Sequence, residues 1–137
     1  MHWRIEQIID QMGGRGVRGA LGYIGASEIA YHCRKDDSKP VNSTVDDHGL
    51  IEFEIGLMFR VNGKEREAWK MVVSLESDDT YTVRLFRKAT PEEWGRKILA
   101  VVLDTDTDVY CDNLQAVVEG MYDQAIKKYN RGMIRIA

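Results

Sequence analysis

The segment that begins at residue 114 has the strongest periodicity in this chain of 137 residues. Its apolar residues recur at i, i+3 and i+4, the spacing that places side chains on one face of an α-helix. These residues are Leu114, Val117, Val118, Met121, Tyr122, Ala125, Ile126 and Tyr129. The other side carries polar residues, among them Glu119, Lys127 and Lys128. Such a helix needs an apolar layer to pack against, and the rest of the chain must supply it.

Three predicted strands in the middle of the chain can supply that layer. Odd-numbered apolar residues alternate with mostly polar even-numbered ones over 51–59, 69–75 and 81–85. A period of two residues is typical of a strand with one buried face. We therefore predict a sheet whose odd-numbered face, with Phe53 and Trp69 on it, packs against Met121 of the C-terminal helix.

Side-chain alternation also restricts the loops of this sheet. A two-residue turn at Asn62-Gly63 would place odd-numbered residues of one strand opposite even-numbered residues of the next, so the apolar faces would disagree. The loop must therefore contain an odd number of residues. A loop over 61–63 with Gly63 in the left-handed conformation satisfies this condition. The same reasoning predicts a three-residue loop over 77–79.

The N-terminal part of the chain is predicted to contribute one helix and one edge strand. Residues 3–12 carry apolar side chains at helical spacing, and Gly13 and Gly14 end that helix. A strand is predicted over 27–35, and the polar segment 36–49 is predicted to be a mobile loop.

The stretch before the last predicted strand is ambiguous. Thr90 and Pro91 are typical of a helix start, yet Gly95 follows within about one turn. Residues 97–103 then predict a fourth, well-buried strand. Together these elements predict a single α+β domain over residues 1–137, with an N-terminal helix, an antiparallel meander of four to five strands, and an amphipathic C-terminal helix packed on one sheet face.

The acidic stretch 103–115 is similar to a calcium loop, with aspartates at positions 1, 3, 5 and 9 of a twelve-residue EF-hand. An EF-hand also needs a glycine at position 6 and a bidentate glutamate at position 12, where this chain has Val109 and Gln115. We therefore predict a solvated turn over 104–108 rather than a metal site. Asp112 and Gln115 are then predicted to form a capping box at the start of the helix.

The first candidate binding site is the glycine-rich loop 13–19. The stretch Gly13-Gly14-Arg15-Gly16 is similar to the GXXG loop with which KH domains clamp a nucleic-acid backbone. In that interpretation Arg15 and Arg18 contact phosphates. The alternative is a helix stop followed by a linker with two solvated arginines.

The second candidate site is the even-numbered face of the sheet. Its candidate binding residues are Arg60, Lys70, Arg84, Phe86 and Lys88, with Met58 among them. Basic residues around an aromatic ring are typical of a nucleic-acid surface. An exposed Phe86 and Met58 would fit a protein partner equally well. Glu52 and Glu54 share this face and make its potential mixed, which also fits an ordinary solvated surface.

Composition and motif content argue against several function classes. The net charge is −3, and the two cysteines are too few for a disulfide scaffold. We interpret the cysteines as free thiols, which predicts a cytoplasmic protein. No apolar run is long enough to span a bilayer, so we expect no membrane association. No nucleophile elbow, phosphate-binding loop or zinc-ligand spacing occurs. The sequence therefore predicts no catalytic residue, no cofactor and no metal ligand.

Four stretches carry a family resemblance: "IEQIIDQMGG", "LIEFEI", "DTYTVRLFR" and "DVYCDNLQAVVEGMY". They resemble small proteins encoded by phages and other mobile elements. The resemblance implies a cytoplasmic accessory protein with no assigned activity, and it assigns a role to no residue.

The leading hypothesis is a non-catalytic protein that binds a protein partner and modulates a host system. The alternative is a nucleic-acid-binding module that uses loop 13–19 together with the basic sheet face. An uncovered edge strand could also pair two copies into a homodimer.

Overall fold

The computed structural model describes residues 2–14, 16, 18–34, 38–62 and 68–136. Its helices are α1 (Trp3–Gln11), α2 (Ala20–Tyr23), α3 (Pro91–Gly95) and α4 (Leu114–Ile136). Its strands are β1 (Ser27–Cys33), β2 (Thr44–Val45), β3 (Ile51–Glu52), β4 (Ile55–Asn62), β5 (Ala68–Leu75), β6 (Tyr81–Lys88) and β7 (Ala100–Val109). None of the helices in the described part of the chain combines the length and apolar character that crossing a bilayer requires.

The five longer strands form one antiparallel sheet in the order β1-β4-β5-β6-β7. β2 and β3 pair with each other as a separate hairpin, inserted between β1 and β4 along the chain. α4 packs on β6 and β7, and α1 packs on β4. The predicted α+β architecture is confirmed.

The odd-numbered residues of β4, β5 and β6 form the sheet side of the core. They are buried without exception between Ile55 and Val61, and Trp69, Met71 and Val73 continue the same surface. The helices contribute the residues predicted from their periodicity: Ile5, Ile8, Ile9 and Met12 from α1 and its end, and Leu114, Val118, Met121 and Ala125 from α4. Burial of each large apolar side chain stabilises the fold by about 1.5–3 kcal/mol.

Both loops contain an odd number of residues, as predicted, and one of them also has the predicted length. Leu75 lies opposite Tyr81, and the Glu76 N–H donates to the Thr80 carbonyl at 2.8 Å, which confirms the loop over 77–79. Between β4 and β5 the last described pair is Asn62 with Ala68, so an odd number of residues separates the strands. The predicted loop over 61–63 is wrong, because Asn62 still belongs to β4. Gly63 lies outside the described residues.

The end of α1 confirms the predicted glycine stop. Gly13 and Gly14 adopt φ angles of +92° and +81°. The Gly14 N–H donates to the Ile9 carbonyl at 2.9 Å and the Gly13 N–H to the Asp10 carbonyl at 3.0 Å. These two bonds form a Schellman motif, which satisfies carbonyls that the helix leaves without partners.

The predicted strand over 51–59 is interrupted. Ile51 pairs with Val45 of β2 and does not continue along the sheet, so β4 begins only at Ile55. Phe53 falls in the break, where its ring meets the His32 ring edge-on at a centroid distance of 6.1 Å. The predicted packing of Phe53 against Met121 is therefore wrong.

The segment 36–49 was predicted to be a mobile loop, but its second half is regular. Residues 44–49 form β2 and the turn of the hairpin. The Asp46 carboxylate accepts the backbone N–H groups of His48 at 2.8 Å and Leu50 at 3.0 Å, which stabilises a tight turn. Residues 36 and 37 lie outside the described part of the chain.

Two predictions about the region before α4 are wrong. Residues 104–108 form an exposed part of β7 and not a turn, because β6 offers them a pairing partner. Residues 100–103 are only half-buried, because β7 is an edge strand. The ambiguous stretch at Thr90 forms α3, whose capping box joins Thr90 and Glu93.

The predicted capping box of Asp112 and Gln115 does not form. α4 begins at Leu114, and the Asn113 carbonyl accepts the first-turn N–H of Val117 at 3.0 Å. The Gln115 side chain instead donates to the Arg18 carbonyl at 3.0 Å. It therefore joins the glycine-rich loop to the start of α4.

We expect Leu114→Ala to lower the free energy of unfolding by about 2–5 kcal/mol, because it leaves a cavity where a fully buried side chain joins α4 to the sheet. Urea denaturation monitored by circular dichroism measures this loss. Gln124→Ala, on the exposed side of α4, is the control and should change stability little. Equal effects of the two substitutions would contradict the packing of α4.

Candidate functional site

Four of the candidate residues predicted from the sequence converge on one cleft. Arg60, Lys70, Phe86 and Lys88 lie on the sheet face opposite the helices, because even-numbered residues of β4, β5 and β6 share that face. The cleft has a volume of about 480 Å³. It is lined by Glu28, Gly49, Leu50, Ile51, Met58, Arg60, Trp69, Lys70, Phe86, Arg87, Lys88, Leu99 and Ala100.

The tip of the β2–β3 hairpin forms the roof of this cleft. The His48 carbonyl accepts the Leu99 N–H at 2.8 Å, and the His48 Nδ1 is hydrogen-bonded to the Lys97 carbonyl at 2.9 Å. Gly49 lies directly against Ala100: a Cβ at this position would be 1.9 Å from the Ala100 carbonyl oxygen. The hairpin is thus joined to the segment that leads into β7.

The floor of the cleft is apolar and its rim is cationic. Phe86 is only 3 % exposed, and Met58 beside it is half-buried. Arg60, Lys70 and Lys88 are exposed around them. Among the described residues that line the cleft, one carboxylate, Glu28, lies near these three cations, and its oxygen is 3.7 Å from the Arg60 guanidinium. The described part of the rim therefore has an excess of positive charge.

The expected exposure of Phe86 is wrong, and the hairpin explains why. Strand alternation predicts a solvated even-numbered face, whereas the segment 40–52 crosses that face. Val72, on the same face, is 0 % exposed. Ser43 of the crossing segment contacts Ser74 and Arg84, the neighbours of Val72 along β5 and on β6.

Arg84 does not reach the cleft. Its Nη1 donates to the Ser43 hydroxyl at 2.7 Å. Burial lowers the pKa of Arg84, while the nearby Glu76 carboxylate acts in the opposite direction. Arg84 is therefore part of the attachment of the crossing segment to the sheet.

A buried carboxylate completes that attachment. Glu76 is 7 % exposed and accepts hydrogen bonds from the Ser43 N–H at 2.7 Å, from the Ser43 hydroxyl, and from the Ser74 hydroxyl at 3.0 Å. Since a buried carboxylate without such partners would be costly, Glu76 favours the conformation in which residue 43 lies on the sheet. Both ends of the hairpin are thus held against the even-numbered face.

Arg18, the described arginine of the glycine-rich loop, lies apart from the cleft. Arg18 is exposed, and its carbonyl is bonded to Gln115 at the start of α4, in the helical layer. The cleft opens on the opposite face of the sheet. Loop 13–19 and the basic sheet face therefore do not form one continuous surface. Arg15 lies outside the described residues.

His32 is hydrogen-bonded within the fold, and the aspartates Asp104 and Asp106 of the acidic stretch belong to a strand. The His32 Nδ1 is hydrogen-bonded to the Glu54 carbonyl at 2.8 Å. Asp104 and Asp106 lie in the extended edge strand β7, opposite Leu85 and Val83. Within the described ranges, no group of three or more His, Cys, Asp or Glu side chains is placed to hold a metal ion.

The residues of the roof, namely Leu50, Ile51 and Leu99, were not among the candidates predicted from the sequence. A signal for them was present. Asp46 and Gly49 are typical turn residues, and they separate the apolar Val45 from Ile51. A hairpin at this position was therefore open to prediction, although its place on the sheet was not.

No protein-family model, curated protein sequence or solved structure matches the chain at a significant level. Function is therefore inferred from the chemistry of the cleft. The resemblance to phage and mobile-element proteins stays a prediction from the sequence.

We expect Gly49→Ala to destabilise the protein by more than the roughly 1–2 kcal/mol that a left-handed backbone costs an alanine. The φ of +81° at Gly49 accounts for the cost of the left-handed backbone, and the clash of the added methyl group with Ala100 increases the loss of stability further. Gly25→Ala is a matched control, because Gly25 has a φ of +65° and no atom close to the added methyl group. Thermal unfolding compares the two variants. A smaller loss for Gly49→Ala than for Gly25→Ala would contradict the position of the roof.

The Arg87–Glu93 ion pair at the cleft predicts a pH dependence. Arg87 donates to both Glu93 oxygens, at 2.7 and 3.1 Å, and these bonds, with that from the Thr90 N–H, lower the pKa of Glu93 to about 2. A lowered pKa means that the carboxylate stabilises the fold above its ordinary pKa of 4.5, and that this stabilisation is lost as the pH falls from there towards 2.

The stability difference between the wild type and Glu93→Gln should therefore be largest near neutral pH and should shrink below about pH 4.5. Urea denaturation across this pH range measures the difference. Glu92→Gln, at the exposed neighbouring position, is the control for removal of a carboxylate from α3. A difference that grows on acidification would contradict the ion pair.

Proposed function

We propose that the protein is a non-catalytic binding module whose cleft takes a short acidic segment of a partner protein. In this proposal an apolar side chain of the segment lies on the half-buried Met58, below Leu50 of the roof. Carboxylates on either side of it contact Arg60, Lys70 and Lys88. The observation that supports the proposal is a cationic rim around an apolar floor in a single cleft.

The arrangement of the cations strengthens this proposal. Arg60 on β4 lies directly opposite Lys70 on β5. Like charges at directly opposed positions on one face destabilise a sheet, since their Cβ atoms are only about 4.5–5.5 Å apart. Among the described residues, Glu28 offsets this repulsion from the side of Arg60, at 3.7 Å. An anionic ligand between the two cations would relieve the repulsion, so the free protein is poised to bind one.

The size of the cleft favours a short peptide segment. Its volume of about 480 Å³ is in the range of sites that hold a few side chains or a small ligand. The floor is not a stacking platform for nucleobases, because Phe86 is almost completely buried. Nucleic acid binding by loop 13–19 and the sheet face together would also require contacts on opposite faces of the sheet. An acidic peptide with one apolar anchor fits the described groups better.

We expect fluorescein-labelled heptapeptides with aspartates and glutamates around a central leucine or phenylalanine to bind the wild-type protein. Replacement of the central residue by alanine should weaken binding, because the floor then loses its apolar contact. Lys70→Glu and Lys88→Glu should each weaken binding by about tenfold or more, or about 1.4 kcal/mol. Fluorescence anisotropy measures these affinities.

Lys127→Glu is the matched control, because it makes the same charge change on the exposed side of α4, away from the cleft. The proposal requires that it leave peptide affinity nearly unchanged. Equal losses for all three lysine variants would indicate nonspecific charge attraction and contradict the proposal. A labelled single-stranded oligonucleotide is the second probe: its binding in place of the peptides, with a steep salt dependence, would favour the nucleic-acid alternative.

A further inference from the structure

A second cleft adjoins the first on the same face of the sheet. It has a volume of about 660 Å³, and its lining includes His32, Ile51, Glu52, Phe53, Glu54 and Met58. Ile51 of the hairpin and Met58 of β4 line both clefts, so the two clefts meet at these residues. A peptide segment bound in the first cleft therefore reaches the second cleft when it continues past Met58.

The two clefts differ in the sign of their charge. The first has the cationic rim of Arg60, Lys70 and Lys88. Among the described residues, no lysine or arginine lines the second cleft, whereas the two glutamates Glu52 and Glu54 do. The charge along the combined groove therefore changes from positive to negative.

Glu52 is the glutamate of the second cleft that can pair with a ligand. The Glu54 carboxylate forms an ion pair with Arg34 and accepts the Val41 N–H at 3.3 Å, so it is already engaged within the fold. Glu52 is exposed, and within the described part of the chain its carboxylate has no hydrogen bond or ion pair.

The imidazole of His32 adds a second acceptor to this cleft. The His32 Nδ1 carries a proton in its 2.8 Å bond to the Glu54 carbonyl, because a carbonyl oxygen only accepts. In the neutral imidazole the other nitrogen, Nε2, is then an acceptor. Beside it lies the half-buried ring of Phe53, which meets the imidazole edge-on. The second cleft thus combines a carboxylate, a ring nitrogen that accepts, and an aromatic ring.

We propose that the second cleft takes an arginine side chain of the same partner segment, on the far side of the apolar anchor from Arg60 and Lys70. The inference rests on the proposed function, because it assigns a further part of the same ligand. A guanidinium has five N–H donors and no acceptor, which matches Glu52 and the Nε2 of His32. A guanidinium also binds favourably to an aromatic ring, which Phe53 supplies.

The strand positions define the spacing of such a segment. Arg60, Met58 and Gly56 follow one another at two-residue steps on one face of β4, and His32 lies directly opposite Gly56. Four residues of a strand cover about 13 Å. An extended segment along β4 therefore has its carboxylate, its apolar anchor and its arginine two residues apart from one another. Both chain directions satisfy this spacing, so the test includes both orders.

Fluorescence anisotropy with the full chain tests the inference. The parent peptide is an acidic heptapeptide with a central leucine. Its derivatives carry arginine or glutamine two residues before the leucine or two residues after it. Glutamine is the comparison, because it removes the same peptide carboxylate without adding a guanidinium.

At one of the two positions, arginine should strengthen binding about fivefold relative to glutamine, because the guanidinium pairs with Glu52 and contacts Phe53. At the other position arginine should weaken binding, because there it faces Arg60 and Lys70. Arginine that strengthens binding at neither position, or equally at both, would overturn the inference.

Two protein variants test the assignment to the second cleft. Glu52→Gln should abolish the gain from arginine and leave the affinity for the glutamine peptide unchanged, because Glu52 is exposed on the hairpin. Asp10→Asn also removes one exposed carboxylate, but from α1 on the opposite side of the sheet, and should leave the gain intact. A gain that survives Glu52→Gln would overturn the inference.

The parent peptide separates this inference from the proposed function. Binding of the parent without any gain from arginine would overturn the inference alone. A wild type that binds none of these peptides would overturn the proposed function, and the inference with it.

Discussion

Three neighbouring strands, β4, β5 and β6, keep the same side-chain alternation through two turns, and their odd-numbered residues therefore all face one way. That shared direction produces an apolar surface on which α1 and α4 pack. It also leaves the even-numbered residues on the other face, where Arg60 and Lys70 are brought side by side. If one turn contained an even number of residues, half of the core would face solvent and the basic residues would be dispersed. The core and the cleft thus depend on the same parity.

Features that depend on one element and its immediate neighbours were predictable from the sequence. The stripe on α4, the stripe on α1 and the alternation of the strands each reflect a period that is visible in the residues themselves. The parity of the loops followed from that alternation, and Leu75 lies opposite Tyr81 as a result. The glycine stop at residue 13 depends only on the end of one helix, and it too was predictable.

Features that depend on distant parts of the chain were not predictable. The aspartates at 104–108 are typical turn residues, yet pairing with β6 overrides that preference and extends an edge strand through them. Gln115 fits a capping box locally, but its side chain meets the Arg18 carbonyl, 97 residues away along the chain. The candidate site shows the same limit. Arg60, Lys70 and Lys88 were identified by their position on a strand face, whereas the burial of Phe86 depends on the hairpin that crosses that face.

The attachment of the hairpin has a consequence for amide hydrogen exchange. Val72 and Phe86 are buried on the face that the crossing segment covers, and lifting that segment would expose both side chains, at a cost of about 1.5–3 kcal/mol each. The lifted state would therefore be a rare local opening, and we expect the Leu99 amide proton, bonded to the His48 carbonyl, to exchange with solvent chiefly through it. In the binding mode that we propose, a ligand would enter through the open side of the cleft, past its charged rim, while the roof stays closed.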